Sequence, residues 1–200
     1  MSGDDALSIG NDQIKIIPSE SDGHEESAEL IEDITDAVIT GLADYCRKSG
    51  IKSIVLGLSG GIDSAVAACV ACAAVGPENV LGIAMPSRYS SQHSLDDAKY
   101  TAQALGMQFK IESIDEMHST LETQIGSVLS SGSPVASENI QSRLRGIIVM
   151  AHANAEGRMA VATGNKSELA QGYCTLYGDM AGGYTPLGDL YNCLLYTSDA

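Results

Sequence analysis

Basic charge is scarce in this chain. Lys and Arg together number 11 against 26 Asp and Glu, for a formal charge of −15 over 200 residues. That balance leaves no basic footprint for nucleic acid or anionic lipid. The acid is unevenly spread. Eleven acidic residues precede position 37, against a single Lys15 there, so residues 1–26 are expected to be an acidic linker or leader. Long apolar runs are also lacking. None reaches the roughly 20 residues that a membrane-spanning helix needs, and the amino terminus shows no signal-peptide pattern. No membrane partner is expected. The five cysteines are an odd number without the spacing of a disulfide framework. Cys69 and Cys72 are formally C-x-x-C, but they sit in an Ala-rich helical run with no second ligand pair. They read as two small buried residues on one helix face. A reducing cytoplasm is the expected compartment. His93, His118 and His152 lie far apart without ligand spacing and read as surface or half-buried groups.

What is present is an apolar content of 44%, enough for one domain with a real core. Ile31, Ile34, Val38, Leu42 and Tyr45 fall at steps of three and four, predicting a helix closed by Gly50. Beyond it strands and helices alternate. Strands are expected at 54–58 and 80–85, a half-covered or edge strand at 109–113, and a short buried strand at 159–163. Helices are expected at 63–75, 94–105, 117–129 and 139–155, with a loop at 130–137. Ser94 is expected to cap the second of these helices, with Asp96 and Asp97 at its positive end. The rhythm predicts an α/β fold, a doubly wound parallel sheet with helices on both faces. Ligands then bind at the carboxyl ends of the strands.

One nonapeptide, Leu56-Gly57-Leu58-Ser59-Gly60-Gly61-Ile62-Asp63-Ser64, lies at such an end. It lacks the Walker lysine and lacks G-x-G-x-x-G. Its strand, glycine turn and helix start suit phosphate, because glycine admits an anion to the backbone and the first helical N–H groups point at it. Ser59 and Ser64 add hydroxyl donors, and Asp63 adds a carboxylate able to hold Mg²⁺ against phosphate. Of the two arginines on the 139–155 helix, Arg143 is assigned to the site and Arg145 to the solvated surface. Arg88 is given little weight as a nucleotide contact.

SGGIDS resembles the pyrophosphatase-type loop (PP-loop) of adenylating enzymes that cleave ATP to AMP and pyrophosphate. Four further motifs narrow the resemblance: Pro86-Ser87-Arg88-Tyr89-Ser90-Ser91, Asn139-Ile140-Gln141-Ser142-Arg143-Leu144-Arg145-Gly146, Thr163-Gly164-Asn165-Lys166-Ser167-Glu168, and Leu176-Tyr177-Gly178-Asp179-Met180-Ala181-Gly182-Gly183. Together they resemble the NAD synthetase family, nearest its glutamine-dependent branch, from about residue 29 to about residue 191. The resemblance implies the adenine nucleotide alpha-hydrolase-like fold. It implies ATP-dependent amidation of deamido-NAD to NAD through an adenylated carboxylate, with ammonia or glutamine-derived ammonia as nitrogen donor.

By the same resemblance, Gly57, Leu58, Ser59, Gly60, Gly61, Ile62, Asp63, Ser64 and Thr163 bind ATP. Asn139, Arg143, Glu168, Tyr173, Cys174, Thr175, Leu176 and Asp179 bind the substrate. Asp63 and Glu168 hold Mg²⁺, and no catalytic side chain is assigned. The family implies a homodimer through helices 28–47 and 139–155, and its glutamine-dependent branch implies an upstream glutaminase domain, expected to be missing here. The synthetase domain is expected over residues 27–191 and truncated at its carboxyl end. Asn192 stands where a phosphate-contacting lysine belongs, and residues 192–200 are expected to be an anomalous tail. The alternatives are another PP-loop synthetase such as GMP synthetase, or a non-catalytic or inactive ATP-binding fragment.

Overall fold

The computed structural model describes residues 8–10, 13–15, 25–130 and 135–195. Parts of the expected leader, of the 130–137 loop and of the 192–200 tail lie outside the described residues. Within the leader, β1 (Ser8–Gly10) and β2 (Gln13–Lys15) pair antiparallel as a hairpin. The chain then runs α1 (Glu25–Ser49), β3 (Ile54–Gly57), α2 (Ile62–Val75), a 3-10 turn (Pro77–Asn79), β4 (Val80–Ala84), α3 (Gln92–Leu105) and β5 (Gln108–Ile111). It continues through α4 (Asp115–Ser130), α5 (Val135–Glu156), β6 (Met159–Val161), α6 (Lys166–Gln171) and α7 (Asn192–Leu195).

Strands β3 to β6 form one sheet in the order β5-β4-β3-β6, every neighbouring pair parallel. The chain steps outward from β3 to β4 to β5, then returns to place β6 on the other side of β3. That reversal leaves a crevice between the carboxyl ends of β3 and β6, where ligands of such sheets bind. The edge position expected for the third strand is observed, and β5 is largely exposed.

The period-two alternation of each strand divides the core into two layers. Ile54, Leu56, Val80, Ala84, Met159 and Val161 face α1, α2 and α3. Val55, Leu81, Ile83 and Ala160 face α5 and Ile114. Helix α2 consists mainly of Ala, Val and Cys, and its buried positions run all round it, as a helix wedged between the sheet and α1 requires. Truncating a fully buried Leu56 or Ile83 to alanine costs about 2–5 kcal/mol, set against a total stability of about 5–15 kcal/mol for such domains. Cys69 and Cys72 are buried and free as expected, and burial pushes their thiols up to about 11 and about 12. Among the described residues no helix is long and apolar enough to cross a membrane.

Three local expectations are corrected. Helix α3 is capped by Ser91, whose Oγ accepts from the Ser94 amide; Ser94 is thus its third residue, and Asp96 and Asp97 fall beyond the first turn. Helix α5 starts at Val135, before the expected Asn139. His118 is neither surface nor half-buried but wholly enclosed. It lies four residues after the fully buried Ile114, hence on the same helical face, and both its ring nitrogens lack a hydrogen-bond partner.

Candidate active site

The glycine turn after β3 is folded by its own hydroxyls. Ser64 Oγ accepts from the Ser59 amide at 3.2 Å and donates to the Gly61 carbonyl at 2.8 Å. Ser59 Oγ accepts from the Gly61 amide at 3.2 Å. Gly60 sits at φ +85°, and a Cβ there would come within 2.2 Å of the Ser94 carbonyl oxygen. The turn therefore rests against the start of α3. Gly61 occupies the cap position of α2 and no side chain caps that end, which leaves its first amides and the positive end of the helix dipole for an anion.

The second loop follows β6. Asn165, fully buried, caps α6: its side chain accepts from the Glu168 amide at 3.0 Å, while Glu168 Oε2 accepts from the Asn165 amide at 3.1 Å. The Asn165 amide group also donates, at a long 3.4 Å, to Asp63 Oδ1 on the first turn of α2. The two carboxylates expected to hold metal thus meet at one residue, Asp63 at the Asn165 side chain and Glu168 at the Asn165 backbone amide. Among the described residues no group of three or more His, Cys, Asp or Glu is placed to hold a metal. Two carboxylates fit a cation that completes its sphere with phosphate oxygens and water, which is how Mg²⁺ is bound beside nucleotides.

The third contributor is the segment after α6, laid across α5. Thr175 Oγ1 donates to Asn139 Oδ1 at 3.0 Å, and the Thr175 amide donates to Asp179 Oδ1 at 2.7 Å. The Asp179 amide donates to Ser142 Oγ at 3.0 Å, and Arg143 Nε donates to the Leu176 carbonyl at 3.2 Å. Two glycines permit the approach. A Cβ on Gly146 would meet the Tyr177 and Gly178 carbonyl oxygens at 2.8 and 2.9 Å, and one on Gly178 would meet Ser142 Oγ at 2.3 Å.

Between these parts lies a cavity of about 450 Å³ at the carboxyl ends of β3, β4 and β6. Of the residues assigned from sequence, Gly57, Leu58, Ser59, Thr163 and Asp179 line it. Asn139, Arg143, Thr175 and Leu176 instead form the network that ties the segment to α5. Ile62 packs against the core, and the Tyr173 and Leu176 side chains are exposed. Cys174 is half-buried. The assignment of Arg145 to the solvated surface is corrected. Arg145 lines the cavity, donates from Nε to the Met85 carbonyl at 3.1 Å, and has its pKa pushed down by burial. Arg88 turns away to α4, where it meets Asp115, Ser119 and Glu122. Sequence reasoning passed over Ser142 and Asn165. For Asn165 a signal existed: Asn followed three residues later by Glu is a capping-box pattern.

The NAD synthase family profile matches residues 34–197, most of the chain and the whole of this site. The chain belongs to the NAD synthase family. The glutamine-dependent NAD(+) synthetase of Rhodobacter capsulatus is 53% identical over 161 residues, covering 80% of this chain and 29% of that protein. Among solved structures, the glutamine-dependent NAD+ synthetase from Acinetobacter baumannii in complex with adenosine diphosphate matches with a TM-score of 0.81 at 37% identity, covering 91% of this chain and 34% of that one. The NH3-dependent NAD synthetase from Campylobacter jejuni, in complex with the nitrate ion, matches with a TM-score of 0.76 at 31% identity, covering 83% and 70%. The chain thus spans under a third of the length of the curated relatives it matches. The fold is the α/β adenine nucleotide alpha-hydrolase-like fold of NAD synthetases, as the motifs implied.

Proposed function

We propose that this chain carries the synthetase site that amidates deamido-NAD to NAD at the expense of ATP, releasing AMP and pyrophosphate. The observation that carries the reading is the convergence, at one strand-order reversal, of the glycine turn, the end of β6 at Ala162 and Thr163, and the segment pinned to α5 around one cavity, with the Asn165–Glu168 loop beside the glycine turn.

A carboxylate is a poor acyl donor because oxide is a poor leaving group. In the first step a carboxylate oxygen of deamido-NAD bonds to the α-phosphorus of ATP, and the bond to the departing pyrophosphate breaks. In the second, ammonia attacks the acyl carbon, AMP leaves with the carboxylate oxygen, and a proton is released. Neither step needs covalent help from the protein. The work is alignment, stabilisation of charge on the phosphates, and exclusion of water from the mixed anhydride. The free amides at the start of α2 and the Ser59 hydroxyl face the phosphates. Arg145, desolvated at the cavity wall, supplies a fixed positive charge in a setting where charge acts strongly. The Thr175–Asp179 turn holds the substrate segment against α5. Asp63 and Glu168 would hold Mg²⁺, which when bound neutralises charge on the pyrophosphate.

The same reading takes ammonia, free or delivered from a glutaminase unit, as nitrogen donor, a reducing cytoplasm as compartment, and a homodimer as assembly. Exposed Leu30 and Tyr45 on α1, and Ile147 and Met150 on α5, support the last. A monomer in sedimentation would refute it. The function is tested by incubating the chain with Mg-ATP and ammonium, offering deamido-NAD, xanthosine monophosphate and aspartate separately. AMP and NAD are expected with deamido-NAD alone. Amidation of xanthosine monophosphate would move the chain to a GMP synthetase reading. ATP binding without AMP formation from any acceptor would favour a non-catalytic nucleotide module.

A further inference from the structure

We infer that Asn165 is the positioning residue that fixes Asp63 and Glu168 relative to one another, so that a divalent cation meets both carboxylates at a preset spacing. The inference rests on the reading of those two residues as the Mg²⁺ holders. Its basis is the placement of one fully buried side chain between two elements separated by 102 positions in sequence. Every polar atom of the Asn165 side chain is directed to a different task. Oδ1 takes the Glu168 amide at 3.0 Å, and Nδ2 gives to Asp63 Oδ1 at 3.4 Å. The backbone amide of Asn165 holds Glu168 Oε2 at 3.1 Å.

The chemistry of this arrangement is specific. An ionised carboxylate has two oxygens, and each of these has one engaged by Asn165: Oδ1 of Asp63 and Oε2 of Glu168. Oδ2 of Asp63 and Oε1 of Glu168 remain to meet a cation. Two carboxylates held near one another repel, and a neutral amide that donates to one lowers that cost without adding a cation that would compete with the metal. Lysine or arginine in this position would neutralise the pair and remove its affinity for Mg²⁺. Full burial leaves the amide no water to turn to in place of these partners. Mg²⁺ demands near-ideal octahedral geometry, so a cation site of only two protein ligands depends heavily on their relative placement. Partners that orient metal ligands typically matter about 10–100-fold in metal affinity.

The test separates positioning from capping. Asn165→Ser retains a cap oxygen for the Glu168 amide, since serine caps helices about as well as asparagine, but its short side chain does not reach Asp63. Asn165→Ala removes both functions, and Asn165→Thr is a second variant that keeps the cap. ATP binding is measured by calorimetry across a series of Mg²⁺ concentrations and in chelator, with no acceptor present so that nothing turns over. Thermal midpoints are recorded in parallel. Wild type is expected to bind ATP more tightly as Mg²⁺ rises. The serine and threonine variants should need about 10–100-fold more Mg²⁺ for the same gain, while melting above the alanine variant and binding metal-free ATP like wild type. Should both cap-retaining variants keep the wild-type Mg²⁺ dependence, Asn165 is a helix cap and no more, and the inference falls alone. Should wild type itself show no Mg²⁺ dependence, the metal reading of Asp63 and Glu168 falls and takes the inference with it.

Discussion

Replacing Gly60 with alanine separates the shape of the glycine turn from its composition. Gly60 adopts φ +85°, a conformation that costs an L-residue with a Cβ roughly 1–2 kcal/mol. The new Cβ would lie 2.2 Å from the Ser94 carbonyl oxygen and 2.9 Å from that residue's C and Cα, where ordinary contact begins near 3.4 Å. Both sides of the clash are backbone, so no rotamer relieves it. Either the turn or the start of α3 must move by about 1 Å, and overpacking of this sort costs about 1–3 kcal/mol. Together the two effects amount to roughly 2–5 kcal/mol, a large share of a marginal stability. If the turn yields instead, its phosphate donors shift by about 1 Å, a displacement worth on the order of 100-fold in rate. Gly61→Ala is the matched control. Gly61 has φ −85° and its Cβ would meet only Ser59 Oγ, at 3.3 Å, a side-chain atom that can give by a few tenths of an ångström; a loss of at most about 1 kcal/mol is expected. Urea unfolding and ATP titration on both variants provide the assay. Equal losses in the two, or wild-type stability and ATP affinity in Gly60→Ala, would refute the reasoning.

Two further outcomes follow from the contacts. His152 lies between Glu156 Oε1 and Glu112 Oε1, each at 2.8 Å, and its pKa is raised chiefly by Glu156. Its contribution to stability is therefore complete below the ordinary histidine value of 6.5 and fades as pH rises through the raised folded value. Glu156, held down to about 2 chiefly by His152, contributes above its ordinary 4.5 and loses that contribution as pH falls toward 2. The gap in urea midpoint between wild type and His152→Ala should be widest at about pH 4.5–6.5 and close in alkali; a gap that persists unchanged at about pH 9 would contradict this. In Asp179→Ala the nearly buried Thr175 amide loses its acceptor, a cost of about 1–3 kcal/mol borne by the substrate segment. The KM for deamido-NAD should rise about tenfold with kcat and melting temperature little changed. An unchanged KM would show that the segment is ordered by other contacts.

The parallel sheet could be read in advance because its strands are short apolar runs bounded by glycine or proline turns, and because Phe109 to Ile111 alternates as an edge strand must. The glycine turn at the start of α2 was equally legible as a turn, since its glycines and hydroxyls are contiguous. What escaped was whatever depends on which face meets what. Arg143 and Arg145 lie two residues apart, so they point to nearly opposite sides of α5; only the position of β4 shows that Arg145 faces the cavity. His118, read as a surface or half-buried group for want of ligand spacing, is enclosed because it follows the buried Ile114 by one helical turn, its amide donating to the Ile114 carbonyl. Ser91 and Ser94 are equally good caps by type, and the extended backbone at Ser91 decides between them. The β1–β2 hairpin is a three-residue pairing in a stretch whose composition suggested a leader.

The return of β6 to the flank of β3 has a consequence for how the molecule is made. The glycine turn leaves the ribosome early, but its partner loop lies about a hundred residues further along the chain. At common synthesis rates of about 5–20 residues per second, some 5–20 seconds pass in which a phosphate turn exists without a site. A nascent chain can therefore hold β3, β4 and β5 in register before it can hold nucleotide. Once β6 docks, ATP would bridge the first and last strands of the sheet and favour the completed fold by mass action. A bound nucleotide would then also be a clasp across a loop of about a hundred residues.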